Sequence, residues 1–470
     1  MAKKYPSGTY LISSIQAVPT YKHREHYDLW DYSMGAPNKN LLQGFETYCS
    51  AEGAELYLLT MKGLNAGEKD LHRFFNDYDG GTILEPKQRN IRLNKNCIIA
   101  DFVVPPQNMD PSTSRGRLVQ ADQTAVYAHS KQRFKSVAAG NARLPKLLVT
   151  TGAVTYPNYN ITNNKGDLAA KEHKYGGVVV DVIDDVSYNI RIVPAHRNGK
   201  FVDMGYVYNG DKKGKKRIGV EALVLGDYHF GDHDEKTIEA NYEMIEYFRP
   251  RRLFLHDLVN GHSVNPHERR NLITRVREFE NGRLSIEEEL KAVNEEIHRL
   301  SAAMEGREIN VVFSNHDFFI ARYLESGTYL NEPWNTKLAL KLADLAIEGQ
   351  NPAEAGIRMM GSIPDNVNFL ELNTDYKIRG YQLASHGHKG IAGGRGSIRS
   401  KEIGFGKSIT GHSHAPEIQR NTVVVGTSTK LTLPYTEGSM SRWLPANAVL
   451  YDNGLVQLLP IINGKWKKKD

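Results

Sequence analysis

The chain has 470 residues, of which 40% are hydrophobic and 24% charged, with 41 glycines. This excludes a coiled coil, collagen and a disordered chain, and anticipates two to three domains. The formal charge of +6 is too dilute over this length to argue for nucleic acid by itself. Two cysteines, Cys49 and Cys97, favour a reducing, cytoplasmic setting over secretion, and no apolar run approaches the roughly 18 residues of a membrane span.

In chain order, residues 9–18, 54–61, 96–104, 145–154 and 176–183 read as buried or half-buried strands, because apolar and β-branched residues cluster in short runs. Residues 40–53 (NLLQGFETYCSAEG) predict a helix ended by Gly53. The proline-bearing stretch 103–117 reads as a long loop, and 208–219 (YNGDKKGKKRIG) as a basic linker. That linker bounds a β-rich α/β N-terminal domain, residues 1–218, expected to bind substrate or serve assembly. No repeat of fixed period is visible, although strand, helix, strand at the start loosely echoes the order that begins at Val220.

From Val220 the strand VEALVL runs into Gly226-Asp227, a helix over 237–248 stops before Pro250, and the strand RLFLH runs into Asp257, which makes a βαβ unit. Residues 285–304 predict a helix with a capping box at Ser285 and Glu288 and an apolar face of Ile286, Leu290, Val293, Ile297, Leu300 and Met304. The short strands INVVFS, YQLASH and SITGHSH end in Asn315-His316, His386-Gly387-His388 and Gly411-His412-Ser413-His414. Seventeen histidines are present, 11 of them between His229 and His414, and strand ends in open α/β sheets converge on one crevice. Two carboxylates, one amide oxygen and several imidazoles suit a pair of transition ions better than Mg²⁺ or Ca²⁺.

These five motifs, in this order, resemble the calcineurin-like metallophosphoesterase superfamily, in particular its DNA-repair exonuclease branch and the DNA-degrading proteins of certain tailed phages. The resemblance implies an α/β sandwich of two mixed sheets flanked by helices over residues 219–470, and a two-metal hydrolase of phosphoester bonds. It implies Asp227, His229 and His414 on the first ion, a bridging Asp257, and Asn315, His386 and His412 on the second, with His388 as the alternative to His386. Two divalent ions are expected, Mn²⁺ first and Fe²⁺ or Zn²⁺ as alternatives, with His316 as the catalytic histidine. The chain departs from the family pattern at His256, Asn260 and Ser314, beside the ligands.

Between two ligand motifs, residues 387–408 read as a flexible glycine-rich loop whose Lys389, Arg395, Arg399 and Lys401 could track a phosphate backbone. The expected function is a metal-dependent DNA nuclease. The alternatives are a small-nucleotide phosphodiesterase or protein phosphatase, and a DNA-binding or assembly protein with secondary hydrolase activity. DNA is the expected partner, no membrane partner is expected, and a homo-oligomer is left open.

Overall fold

A computed structural model describes residues 7–19, 34–63, 68–120, 123–140, 144–210, 214–266, 271–433 and 436–468. The chain is a mixed α/β protein with nine α-helices among these residues and three sheets of eight, six and ten strands. The eight-stranded sheet centres on Gly8–Gln16, which pairs parallel with Ala54–Met61 and antiparallel with Tyr175–Val182. In the six-stranded sheet Val220–Val224 pairs parallel with Arg252–Leu255 and antiparallel with Ala446–Tyr451.

Alternation along the strands decides what each face covers. Val178, Val180 and Val182, Ala222 and Val224, and Ala446, Ala448 and Leu450 enter one apolar cluster with Val126, Val149, Ile409 and Val423 of the ten-stranded sheet. Residues of opposite parity, such as Leu223 and Val449, face the helices instead. The helix Ile286–Ala303 begins at Ser285, whose Oγ accepts the Glu288 N–H at 3.2 Å. Its predicted apolar face is buried at every position from Ile286 to Met304, at roughly 1.5–3 kcal/mol for each large side chain removed from water. Lys39–Glu52 is also helical and ends at Gly53, whose φ of 62° is the left-handed value that glycine reaches without penalty.

Two sequence expectations need correction. The stretch read as a linker begins on the last residue of one short strand, Tyr206–Tyr208, and contains another, Lys215–Arg217, both at the rim of the eight-stranded sheet, while residues 211–213 lie outside the described set. Lys215 and Arg217 lie over the Tyr206 ring at 4.9 and 5.1 Å, so their charges reach solvent across an aromatic face on a lysine-protected edge. The stretch read as a flexible loop contains the helix Ile398–Phe405, started by a reciprocal cap between Ser397 and Ser400. Tyr381–Gln382 and Ser408–Thr410 run parallel on either side of it, so the segment is a βαβ crossover. The expected boundary at 218/219 falls between strands of different sheets, and the ten-stranded sheet takes strands from both sides of it.

No helix among the described residues is long and apolar enough to cross a membrane.

Candidate metal centre

Strand geometry delivers the side chains. The three parallel strands Val220–Val224, Arg252–Leu255 and Glu308–Val312 end just before Asp227, Asp257 and Asn315, and Ser408–Thr410 ends just before His412 and His414. Gly411 is required by closeness: a Cβ there would stand 2.0 Å from Asp227 Oδ1. Four of the brought-together residues hold positive φ without being glycine: His229 at 43°, Asp257 at 45°, His412 at 79° and His414 at 55°. Such a conformation costs on the order of 1–3 kcal/mol per residue and persists where surrounding structure imposes it, often at functional sites.

Asp227, His229, Asp257 and His414 are buried and offer one ligand atom each, all within 4.8 Å of one another, so they could hold a metal ion. His414 Nε2 lies 3.2 Å from Asp227 Oδ2, His229 Nε2 lies 2.9 Å from His414 Nε2, and His229 Nε2 lies 3.5 Å from Asp257 Oδ2. Ligands held about 2.0–2.2 Å from one ion are themselves roughly 3–3.5 Å apart at octahedral to tetrahedral angles, so the spacing suits coordination. A second set adjoins the first. His386 Nε2 lies 3.1 Å from the same Asp257 Oδ2 and 2.9 Å from Asn315 Oδ1, which in turn lies 2.9 Å from His412 Nδ1. Asp227 Oδ1 and Asp257 Oδ1 are buried with no protein donor, and the Nδ1 atoms of His229, His386 and His414 are likewise unpartnered. His388 stands further back, its ring 5.6 Å from that of His386.

The electrostatics are those of buried carboxylates set among imidazoles. Burial would raise the Asp227 carboxyl, but the imidazoles of His386 and His414 outweigh it and hold the group down at about 2. Asp257 is likewise held well below the usual carboxylate range, its burial outweighed by His386, His316 and His229. Burial, with His316 and His414 beside it, keeps His229 far below its ordinary value, and burial with His386 brings His412 to about 4, so both are neutral and able to ligate.

His316 starts the helix Asp317–Glu325, and its ring packs 4.4 Å from Phe319 and 4.5 Å from His229. Its Nδ1 donates to the Asn260 carbonyl. A carbonyl only accepts, so Nδ1 carries a proton and Nε2 is the ring nitrogen left for other partners. Two residues beside the candidate ligands are held by hydrogen bonds. Ser314 Oγ accepts the Asp257 N–H at 2.9 Å, and the Asn260 amide donates to Asp232 at 2.6 Å.

The comparisons with known proteins are sparse, for no family model and no solved structure matches. The chain is similar to Protein A1 of Escherichia phage T5. Identity is 25% over 457 residues, covering 92% of this chain and 80% of that protein, so the likeness spans both halves. The name of that relative states no activity.

The four cations assigned to substrate part company. Lys389, Arg395 and Arg399 are exposed, with Lys389 and Arg395 joined in an antiparallel bridge next to His388. Lys401 is a correction. It is 4% exposed and its ammonium donates to Thr410 Oγ1 at 3.0 Å, with burial lowering its pKa to about 8. The helix that was read as loop turns it inward beneath Gly387, so it is a positioning cation behind the site and no contact for a polymer.

Sequence reasoning missed one support. Glu289 is buried and accepts the N–H groups of Gly261, His262 and Ser263 and the Ser263 hydroxyl, which fastens the loop carrying Asn260. His256 is fully buried with both ring nitrogens unpartnered, 5.5 Å from the His386 ring. Glu289 had no signal in the sequence beyond its residue type, whereas His256 stood out by its place beside Asp257.

Proposed function

We propose that the chain is a metal-dependent phosphodiesterase acting on DNA, of the calcineurin-like metallophosphoesterase kind, with residues 219–470 as its catalytic sandwich. One observation carries the reading: Asp257 Oδ2 faces His229 Nε2 of one donor set at 3.5 Å and His386 Nε2 of the other at 3.1 Å. A carboxylate shared in this way suits two divalent ions, with Asp227, His229 and His414 on one side of it and Asn315, His386 and His412 on the other. Mixed carboxylate, amide and imidazole donors favour Mn²⁺, with Fe²⁺ or Zn²⁺ as alternatives. Ions bound there would supply Lewis-acid polarisation of the phosphate and charge neutralisation in the transition state.

The chain's own groups do the rest. The protonated form of His316, held at Nδ1 by the Asn260 carbonyl, presents Nε2 to the cluster and delivers a proton to the leaving oxygen. Arg395, Arg399 and Lys389 stand exposed beside the site, where they meet backbone phosphates. The small-substrate reading draws its support from Lys401, whose burial removes one of the four cations offered to a polymer.

The test is hydrolysis of linear duplex, circular duplex and single-stranded DNA, and of a bis-phosphodiester chromogenic substrate, with Mn²⁺ and with a chelator. Metal-dependent cleavage of DNA is expected. Cleavage of the chromogenic substrate alone would move the assignment to a small-substrate phosphodiesterase, and no cleavage of any would sink the hydrolase reading.

A further inference from the structure

The two halves of the chain follow one strand programme. Gly8–Gln16 pairs parallel with Ala54–Met61 and through it with Thr82–Leu84; its other edge meets Tyr175–Val182 and then Tyr188–Ala195, both antiparallel. Val220–Val224 does the same with Arg252–Leu255 and Glu308–Val312 on one side and Ala446–Tyr451 and Val456–Pro460 on the other. In the ten-stranded sheet, Ile91–Arg92, Cys97–Ile99, Thr124–Tyr127, Lys146–Thr150 and Arg133–Val137 are neighbours through antiparallel, parallel, parallel and antiparallel pairings. Lys377–Ile378, Tyr381–Gln382, Ser408–Thr410, Thr422–Val424 and Glu417–Gln419 repeat that series in the same chain order.

Register equates individual residues. Tyr127 faces Thr150, two residues before Gly152, and Thr410 faces Val424, two before Gly426; this sets Ala128-His129-Ser130-Lys131 on Gly411-His412-Ser413-His414. Val154, two past Gly152, donates to the Ser14 carbonyl at 2.8 Å, and Ser428, two past Gly426, donates to the Asp227 carbonyl at 2.8 Å. Ser14 therefore stands on Asp227, and Gln16 on His229. Leu11 faces Leu56 as Val224 faces Phe254, which sets Leu59 on Asp257. By the same route Phe102 stands on His386.

The halves meet through equivalent edges. Phe134 lies opposite Ile418, Arg133 opposite Gln419 and Lys135 opposite Glu417. Phe134 faces Val149 as Ile418 faces Val423, so Phe134 and Ile418 are equivalents, while Arg133 meets the equivalent of Lys135 and Lys135 the equivalent of Arg133, as in an isologous twofold contact. In the other layer Tyr188–Ala195 and Val456–Pro460, again equivalents, meet where Gln457 donates to the Ile192 carbonyl at 3.2 Å.

We infer that residues 8–195 are an internal duplicate of residues 220–460 that has exchanged the metal centre for hydrogen bonds and an ion pair among its own side chains, leaving one metal-binding half and one metal-free partner half. The second part of this inference rests on reading the Asp227–Asp257 cluster as a metal centre. Both carboxylates are gone from the N-terminal half, replaced by Ser14 and Leu59. Ser14 Oγ bonds Thr151 Oγ1 at 2.5 Å, and Gln16 exchanges two hydrogen bonds with Asn158, at 3.0 and 2.9 Å. His129, the one imidazole retained, has both nitrogens engaged: Nδ1 accepts the Lys131 N–H at 3.0 Å and Nε2 reaches the Pro105 carbonyl at 3.2 Å. At the position of His414 the buried ammonium of Lys131 pairs with buried Glu172, so a fixed side-chain cation occupies that end of the half. Arg420 reaches the same Glu172 at 3.2 Å from the other half.

The experiment is anomalous scattering at the manganese edge from crystals of the full chain saturated with Mn²⁺, together with metal content and melting temperature of Glu172→Gln. Peaks are expected at the Asp227–Asp257 cluster, with none within bonding reach of Ser14, Gln16, His129 or Lys131; a peak at those residues would overturn the inference. Glu172→Gln should lower the melting temperature by about 3 °C or more, because Lys131 loses its buried counter-charge, while metal content per chain stays as in the wild type. Metal lost in that variant, or a melting temperature unchanged by it, would contradict a metal-free half held by this pair. Crystals with no peak anywhere would count against the metal centre itself, and the melting result would still judge the buried pair.

Discussion

At the strand ends of residues 220–460, oxygens of Asp227 and Asp257 and ring nitrogens of His229, His386 and His414 are buried without protein partners. At the equivalent ends of residues 8–195, Ser14, Gln16 and His129 have partners within the protein, and Lys131 has a counter-charge. Backbone strain follows the same division. His229, Asp257, His412 and His414 have positive φ, whereas Gln16, Leu59, His129 and Lys131 are absent from the positive-φ residues. One strand scaffold thus supports either side chains partnered within the protein or a strained cluster with orphaned donor atoms, and the second could hold cations. Strain and orphaned atoms cost free energy that ligand binding can offset.

The comparison is broken most severely by removing the shared carboxylate. Asp257→Ala should abolish bound metal and lower turnover by more than about a hundredfold, a loss at least as large as that from removing an outer support of a ligand. Leu59→Ala, at the matching position, should cost about 2–5 kcal/mol of stability as a core truncation and leave metal content unchanged. Elemental analysis beside calorimetry reads both.

His316→Ala separates proton delivery from coordination. Turnover should fall by about 10²–10⁴-fold with metal content retained, the range for a positioned general acid. Loss of metal along with activity would make His316 a ligand instead.

The loop supports give a smaller effect with a pH signature. Glu289 is held down at about 2, its burial outweighed by His262 and Ser263, and His262 is raised because Glu289 outweighs its burial. A depressed carboxylate contributes stability above its unfolded value near 4.5 that is lost as pH falls toward 2. A raised imidazole contributes stability below about 6.5 that is lost as pH rises through its folded value. Glu289→Gln should therefore cost roughly 1–3 kcal/mol near pH 6, and its deficit against the wild type should shrink at both ends of that window. A deficit constant from pH 3 to 9 in denaturant titrations would remove the ionic part of this account.

The smallest effect belongs to the exposed cations. Replacing Arg395 and Arg399 by alanine should flatten the dependence of log DNA affinity on log salt by about two units, roughly one per phosphate contact, with hydrolysis of a small diester unchanged. Lys401→Ala should behave oppositely, perturbing stability and the site while leaving the salt slope alone.

The placement of the candidate donors at strand ends was legible in the sequence alone, because an apolar run that stops at Asp227, Asp257, Asn315, His386 or His412 is a local pattern that strand alternation and chain direction carry to one end of the sheets. The helix Ile286–Ala303 was legible for the same reason, since cap and apolar face lie within one segment. The sequence did not reveal that Lys401 points inward, because that follows from a helix packing its lysine under Gly387 and against Thr410. Glu289 was invisible because its four partners lie 26 to 28 residues away. The duplication left only an echo in the sequence, since Gly152 with Thr155 and His129 with Ser130 are nearly all that survives beside Gly426, Thr429, His412 and Ser413. Pairing direction and register kept it, because a sheet constrains which residue faces which far more tightly than it constrains what that residue is.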